Sequence, residues 1–248
     1  MRIALVCGTN HKGSTYHIAR MLADRLLEGE ADSDADSDSD LTEFFLPRDF
    51  GDFCTGCASC LHTSEELCPH RSRFQPIIEV LDQADVIILA SPTYVYHVTG
   101  AMKTFLDHFG YRWMLHRPAP HMFHSQVVCV TTAAGGGTRG ALRDMADSAF
   151  YWGAAKVRKM GFVVRASFWK QVTPERRQKI VRSVDAMARK VRSSFERDRR
   201  TGRAHPGLRT RAYFVLSLKL HQLPTWPKID ADYWTAQGWS LTSVPWKN

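Results

Sequence analysis

Two patterns of apolar residues alternate along most of this 248-residue chain. Short unbroken apolar runs are typical of buried β-strands, whereas apolar residues that recur every three or four positions are typical of amphipathic helices. Runs of the first kind predict five strands, over residues 3–7, 41–46, 86–91, 126–132 and 157–164. Because helical segments separate the strands, we expect an α/β fold with a parallel sheet covered on both faces, and the doubly wound strand order 2-1-3-4-5 is favoured.

The spacing of apolar side chains predicts four helices. The first has Ser14 as its N-cap, the second ends at Gly110, and the fourth begins near Pro174. Each helix presents one apolar stripe to the sheet. The stripes consist of Ile18, Met21, Leu22 and Leu26; of Met102, Phe105, Leu106 and Phe109; of Leu142, Met145, Ala146 and Ala149; and of Ile180, Val181, Val184, Met187, Ala188, Val191 and Phe195.

Two segments depart from this alternation. Residues 31–40 form an acidic run of low complexity that buries too little apolar surface to fold, so we expect a mobile loop. The helical pattern stops at about Thr201, and a segment rich in proline and tryptophan follows. We therefore predict a domain over residues 1–203 and a C-terminal extension over residues 204–248, packed on that domain or on a partner subunit.

The net charge is basic, with 33 lysines and arginines against 25 aspartates and glutamates. Most of the excess falls in residues 156–203, where a solvated helix face is a better explanation than nucleic-acid binding, because no helix-turn-helix, zinc-finger or RNP-like pattern is present. No apolar stretch reaches the roughly 18 residues that a membrane span needs. The N-terminal apolar run stops at a glycine and lacks the features of a secretory signal, which favours a cytoplasmic protein.

Four of the six cysteines are closely spaced. Two residues separate Cys54 from Cys57 and Cys57 from Cys60, and Cys68 follows after seven more. In a reducing compartment such spacing indicates metal or redox chemistry, and four thiolates can hold a [4Fe-4S] cluster. The alternative is a set of reduced or redox-active thiols that are able to form a disulfide.

The other cysteines and most histidines have simpler interpretations. Cys7 and Cys129 lie in predicted strands and are expected to be small core residues. The histidines at positions 62, 70, 108, 116, 121 and 124 have no zinc spacing such as H-E-x-x-H, so we expect solvated or satisfied core side chains.

Three loops, each directly after a strand, carry residues suited to ligand binding. After strand one, the hydroxyls of Thr9, Ser14 and Thr15 lie where a helix begins, which suits a phosphate. After strand three, Tyr94 and Tyr96 offer an aromatic wall, and after strand four residues 131–138 are mostly small and let a flat ligand approach the backbone. Each loop alone could be a plain turn. Together they lie at the strand ends where open α/β sheets bind ligands.

The segments GTNHKGSTYHIARML, ASPTYVYHVTGAMKTFLDHFG and TTAAGGGT resemble the three flavin loops of the NADPH-dependent FMN reductase group of flavodoxin-like proteins, over about residues 1–165. The resemblance implies that the first loop holds the FMN phosphate, the second follows the ribityl chain and ring edge, and the third contacts the pyrimidine side. His11 departs from the family, whose members often carry arginine there, so the charge facing the phosphate depends on pH. The residues carried over are Thr9, His11, Ser14, Thr15, Pro92, Thr93, Tyr94, Val95, Tyr96, Thr132, Ala133, Ala134 and Gly135.

This resemblance implies an FMN-dependent oxidoreductase that passes electrons from NAD(P)H to a flavin, quinone or similar small acceptor. Flavin carries the redox chemistry itself, so no catalytic residue of the chain is expected. The cysteine spacing is similar to that of iron–sulfur flavoproteins, which implies an alternative function as an electron carrier with a [4Fe-4S] cluster on Cys54, Cys57, Cys60 and Cys68 and a ferredoxin-like protein partner. A third possibility is a binding module that has lost flavin.

Relatives of this kind are usually dimers or larger assemblies, so the resemblance implies a homo-oligomer. We predict that residues from about His205 onward pack across the flavin mouth or onto a second subunit, because four tryptophans would otherwise expose a large apolar patch. The alternative is that they cover outer helices of the same chain.

Overall fold

The computed structural model describes residues 1–28 and 40–247. The mobile-loop prediction for residues 31–40 therefore lies outside the described residues, except at Asp40. The described strands are β1 (Arg2–Cys7), β2 (Asp40–Phe45), β3 (Val86–Ala90), β4 (Gln126–Ala133) and β5 (Lys156–Val163). Each lies within one residue of its predicted bounds, because turn-forming or charged residues limit the apolar runs.

The five strands form one sheet in the order β2-β1-β3-β4-β5, and every neighbouring pair is parallel. The predicted doubly wound, flavodoxin-like arrangement is therefore confirmed. In this order β1 and β3 are neighbours although β2 lies between them in sequence, so the chain reverses its winding direction at that pair. The carboxyl ends of such strands diverge into loops that leave a crevice for a ligand.

The helices are α1 (Ser14–Glu28), α2 (Ser59–His62), α3 (Arg71–Leu81), α4 (Gly100–Asp107), α5 (Thr138–Tyr151), α6 (Pro174–Thr201), α7 (Leu208–Leu220) and α8 (Lys228–Ala236). Alternate residues of the buried strands point to opposite faces of the sheet. One face packs with Ile18 of α1 and Val184 of α6, and the other packs with Phe74 of α3, Phe105 of α4 and Met145 of α5. This is the two-sided cover that the alternation of strands and helices predicts.

The prediction that the helical pattern stops at about Thr201 is wrong, because α7 and α8 follow. Helix α6 ends at Thr201, and Gly202 follows as its C-cap with a left-handed φ of 65°. In α7 the exposed Val215 and Leu216 directly follow the buried Phe214. The apolar residues of α7 therefore lie on several of its faces, and the sequence shows no single apolar stripe that would predict a helix. Helix α3 was also not predicted; Pro76 lies inside it.

The C-terminal extension builds a third apolar core on the same chain. Phe214, Trp234 and Trp246 pack there with Leu115 and Phe123 of the domain. The Trp234 indole donates to the His116 carbonyl oxygen over 2.9 Å, and the Tyr233 hydroxyl donates to the Pro118 carbonyl oxygen over 2.6 Å. The domain boundary at residues 203 and 204 and any contact with a second subunit stay predictions. Across the described ranges, no helix combines the length and the apolar character needed to cross a bilayer.

Candidate cofactor-binding site

A cleft opens at the carboxyl edge of the sheet, between the loops that follow β1, β3, β4 and β5. The cleft has a volume of about 190 Å³. Loops from four different strands meet there because all strands of a parallel sheet end at the same edge. The lining residues are Thr9, His11, Gly13, Ser14, Thr15, Tyr16, Pro92, Thr93, Tyr94, Thr132, Ala133, Ala134, Val164, Ala166 and Ser167.

The first loop ends where helix α1 begins, and it directs the amino end of that helix into the cleft. The His17 amide donates to the Gly13 carbonyl over 3.1 Å, so Gly13 occupies the N-cap position. The prediction of Ser14 as the N-cap is therefore wrong by one residue, since Ser14 is the first residue of the helix. Its Oγ atom is buried and, within the described part of the chain, has no hydrogen-bond partner. A buried hydroxyl beside a helix N-terminus suits an anionic ligand.

Hydroxyl pairs join the loops to one another. Thr15 Oγ1 lies 2.7 Å from Thr132 Oγ1, which ties the start of α1 to the end of β4. The Thr99 hydroxyl donates to the Gly8 carbonyl over 2.6 Å, and the Thr99 amide donates to Ser91 Oγ over 3.0 Å. A Cβ atom on Gly8 would lie only 2.8 Å from Thr99 Oγ1, so this close approach requires glycine. The cleft is thus shaped before any ligand binds.

The loop after β3 makes a tight turn at the cleft mouth. Tyr94 and His97 exchange backbone hydrogen bonds of 2.9 and 3.0 Å. Between them Val95 and Tyr96 have positive φ angles of 48° and 67°, which is costly for a β-branched residue such as valine. Val95 is 91% exposed and Tyr96 is 69% exposed, so this strained turn presents apolar surface to solvent. Strain of this kind is concentrated at functional sites.

The glycines after β4 have two distinct roles. A Cβ atom on Gly137 would lie 2.3 Å from the Tyr96 ring, and one on Gly140 would lie 2.0 Å from the Tyr96 carbonyl oxygen. These two glycines therefore make room for the turn of the neighbouring loop. A Cβ atom on Gly135 or Gly136 would meet nothing within 4 Å. Only this second pair leaves open space beside the cleft, where we expected the whole run to do so.

The structure brings most of the predicted flavin residues to the cleft, as the lining shows. The cleft lining does not include Val95, Tyr96 and Gly135. The turn after β3 directs Val95 and Tyr96 into solvent, and Gly135 is exposed in the loop after β4. The sequence prediction did not include Val164, Ala166 and Ser167, which follow β5. The same reasoning from strand ends that identified the other loops could have found them. No residue of the C-terminal extension within the described ranges lines the cleft, so the extension does not lie across this mouth.

The four closely spaced cysteines lie in the segment between β2 and α3, and all are free thiols. Burial raises the pKa of Cys60, and the nearby thiols of Cys68, Cys54 and Cys57 raise it further. Hydrogen bonds from the Ser59 hydroxyl and amide lower the pKa of Cys57. The thiols of Cys54, Cys57 and Cys68 therefore all lie within electrostatic range of Cys60.

Arg117 connects this cysteine loop to the C-terminal extension. Its buried guanidinium donates to the Cys60 carbonyl oxygen, to Glu65 over 3.1 Å and to Asp230 of α8. Asp230 is fully buried and also lies 2.6 Å from His116 Nδ1. A buried carboxylate needs such partners, because desolvation of an unpaired charge is expensive. The C-terminal extension therefore stabilises the cysteine loop through the Arg117 guanidinium, which bonds to both.

Comparison with known proteins gives a family match over the first two thirds of the chain. A family model described as NADPH-dependent FMN reductase matches residues 1–168. A structure described as a flavone reductase has a similar fold, with a TM-score of 0.56 and 14% identity, over 79% of this chain and 63% of that one.

Two iron-sulfur flavoproteins of Archaeoglobus fulgidus are similar to parts of the sequence. One is 41% identical over 56 residues, which are 23% of this chain and 24% of that protein. The other is 26% identical over 109 residues, which are 43% of this chain and 48% of that protein. The chain therefore spans less than half the length of either curated relative.

Proposed function

Since the chain belongs to the NADPH-dependent FMN reductase family, we propose that it binds FMN in the cleft and transfers electrons from NAD(P)H to a flavin, quinone or similar small acceptor. One observation carries the cofactor assignment. The amino end of α1 enters the cleft together with the buried hydroxyl of Ser14, which has no hydrogen-bond partner among the residues that the structure describes. Such a hydroxyl is destabilising unless a ligand supplies its partner, and a phosphate would do so.

The size of the cleft also supports a placement in which the FMN phosphate lies inside it. Its volume of about 190 Å³ is below the roughly 300 Å³ of pockets that enclose a whole drug-sized ligand. The cleft therefore suits the phosphate and the polar chain of FMN, and the ring would lie at its mouth. Exposed Tyr94 and the open backbone at Gly135 and Gly136 border that mouth.

When bound, FMN supplies hydride acceptance and the onward transfer of electrons. The chain itself binds and orients. Amides at the start of α1 and the Ser14 hydroxyl would hold the phosphate, and His11 lines the same cleft. The bonded pair of Thr15 and Thr132 fixes the spacing between two loops, and the outward turn at Tyr94 and Tyr96 offers aromatic surface to a nicotinamide or an acceptor ring.

The cofactor released on denaturation tests this proposal. We expect FMN and not FAD, because the cleft offers one helix N-terminus for one phosphate group. Chromatography of the released flavin identifies it, and loss of NAD(P)H absorbance with quinone or free flavin as acceptor measures the activity. Release of FAD, or a colourless protein that does not bind added FMN, would contradict the assignment.

A second function is favoured by the cysteines. The chain would be an iron–sulfur flavoprotein whose [4Fe-4S] cluster is held by Cys54, Cys57, Cys60 and Cys68, with a ferredoxin-like protein as electron partner. Two observations support it, namely the electrostatic effect of the other three thiols on Cys60 and the similarity to two iron-sulfur flavoproteins. The residues fit, because a cluster uses one thiolate for each iron.

The visible spectrum of anaerobically purified protein separates the two functions. FMN alone gives a yellow protein, and FMN with a cluster gives a brown one. Iron and acid-labile sulfide should then reach four of each per chain, and Cys57→Ser should abolish them and leave the flavin. A yellow protein without iron after anaerobic reconstitution would exclude the cluster. Light scattering of the same sample tests the proposed homo-oligomer.

A further inference from the structure

Three metal-ligating side chains meet outside the flavin cleft, at Cys68, His70 and His108. The Cys68 sulfur and one ring nitrogen of each histidine all lie within 4.8 Å of one another. Cys68 and His70 lie on either side of one proline just before α3, and His108 directly follows α4. We expected both histidines to be ordinary core or solvated residues. His70 and His108 are 38 positions apart in the sequence, and the packing of α3 beside α4 brings them into contact.

The hydrogen bonds fix which nitrogen of His108 is available. Its Nδ1 atom lies 2.8 Å from the Thr104 carbonyl oxygen, which can only accept, so Nδ1 carries the proton. The lone pair is then on Nε2, which lies 2.9 Å from His70 Nδ1. A ring held through one N–H by a backbone carbonyl, with its other nitrogen free to coordinate, is the arrangement found at most histidine metal ligands.

The spacing of the three atoms suits one ion. Zinc–nitrogen bonds of about 2.0–2.1 Å at tetrahedral angles separate two ligand nitrogens by about 3.3 Å. The two imidazoles need to open by only a few tenths of an ångström from their hydrogen-bonded distance to reach this value. A thiolate with two imidazoles is a donor set for zinc and similar transition metals and not for magnesium or calcium.

The surroundings also suit a ligand site. His108 packs against Phe50 and Phe74, with ring centroids 4.7 and 5.3 Å away, so one side is apolar. Asp52 acts electrostatically on His108. Its Oδ1 atom accepts from Arg73 over 2.7 Å, whereas its Oδ2 atom is buried and has no partner within residues 1–28 and 40–247. This free carboxylate oxygen is a candidate for the fourth position or for a bridging water.

The geometry points to a binding site for one zinc-type divalent ion on Cys68, His70 and His108, separate from the flavin cleft. Binding releases the Cys68 thiol proton, and the His70 proton moves from Nδ1 to Nε2, so both histidines stay neutral. Cys68 is also a ligand of the proposed cluster. In one molecule the zinc site and that cluster therefore exclude each other.

Zinc titration of chelator-treated, full-length protein by calorimetry tests this site. We expect one zinc per chain on these three residues. His70→Asn and Cys68→Ser should each weaken binding at least tenfold. The matched control is a double variant with Cys54→Ser and Cys57→Ser, which disrupts the cluster motif and should bind zinc within about threefold of the parent affinity. His70 is partly exposed, so its replacement leaves the core intact.

X-ray absorption at the zinc edge supplies an independent measurement. One sulfur and two histidine nitrogens are expected around the metal. A shell of sulfur alone, or zinc that is lost in the double cysteine variant and kept in His70→Asn, would assign the metal to the cysteine loop and overturn the proposal. The outcome is independent of the flavin chemistry, because released FMN is measured separately in every variant.

Discussion

The flavin cleft and the cysteine loop lie in one chain but are built by different means. In the cleft, strand ends, a helix N-terminus and glycines set the geometry, and uncharged hydroxyls link neighbouring loops, Thr15 to Thr132 and Thr99 to the Gly8 carbonyl. At the cysteine loop, the buried guanidinium of Arg117 joins Cys60 and Glu65 to Asp230, which lies 113 positions later. The cleft is held by backbone geometry and uncharged hydroxyls within the domain, whereas the cysteine loop depends on a buried charge whose partner lies in the C-terminal extension. Perturbing the extension should therefore affect the second site and not the first.

The largest effect is expected for Phe214→Ala. This side chain is fully buried among the rings of Phe123, Trp234 and Trp246, with centroids 4.9 to 5.5 Å away. The cavity should lower the free energy of unfolding by about 4 kcal/mol, as measured by urea denaturation, without changing FMN affinity. Val215→Ala, at a partly exposed neighbour, is the control and should cost no more than about 1 kcal/mol. If Phe214→Ala lowered FMN affinity as well as stability, the flavin cleft would also depend on the C-terminal extension, and the contrast between the two sites would be wrong.

Asp230→Asn should have the next largest effect. The change leaves the Arg117 guanidinium buried with one fewer anionic partner, which costs about 3 kcal/mol of unfolding free energy. It should also loosen the cysteine loop, so that a thiol reagent reacts faster with Cys60. Asp232→Asn on the same helix removes an exposed pair with Lys228 and should change stability by about 0.5 kcal/mol at most. Equal behaviour of the two variants would show that Arg117 does not support the loop.

Ser14→Ala probes the cleft alone. Loss of one hydrogen bond to a charged phosphate should weaken FMN binding about tenfold, equivalent to about 1.4 kcal/mol. The flavin-free protein should be as stable as the parent or slightly more so, because an unpartnered buried hydroxyl disappears. Replacing Thr15 as well should weaken binding further. Ser193→Ala on α6 is the control, and unchanged FMN affinity in Ser14→Ala would locate the phosphate elsewhere. Fluorescence titration with FMN measures all these affinities.

The smallest expected effect is a change in how the free energy of unfolding depends on pH, through His221 of the C-terminal extension. Burial lowers the pKa of His221, which stacks on Trp234 with centroids 4.3 Å apart. The unfolded chain then takes up the proton more readily than the folded one, so this stabilisation is present above the ordinary histidine pKa near 6.5 and is lost as the pH falls below it. His221→Gln should make unfolding free energy less dependent on pH between about 7 and 5. Gln222→Ala, at an exposed neighbour that carries no titratable group, should leave the slope unchanged.

The same contrast explains how much could be predicted from the sequence. The five strands and their order were predictable because apolar runs and strand alternation are local signals. The loops of the cleft followed, since strand ends meet at one edge. Helix α7 was missed because its apolar residues are spread around the whole helix, and the N-cap of α1 was predicted at Ser14, one residue after Gly13. The meeting of Cys68 with His108, and of Arg117 with Asp230, depends on packing between distant helices, which leaves no mark on local spacing.

The bond between Arg117 and Asp230 also has a temporal consequence during protein synthesis. Translation adds about 5–20 residues per second, so Asp230 is added roughly 6–23 s after Arg117, given the 113 positions between them. The cysteines precede Arg117 and are exposed to the ribosome's surroundings during that interval. If the proposed cluster or zinc site is loaded during that interval, the metal would meet the cysteine loop before Asp230 can pair with Arg117. Synthesis of α8 then supplies that carboxylate.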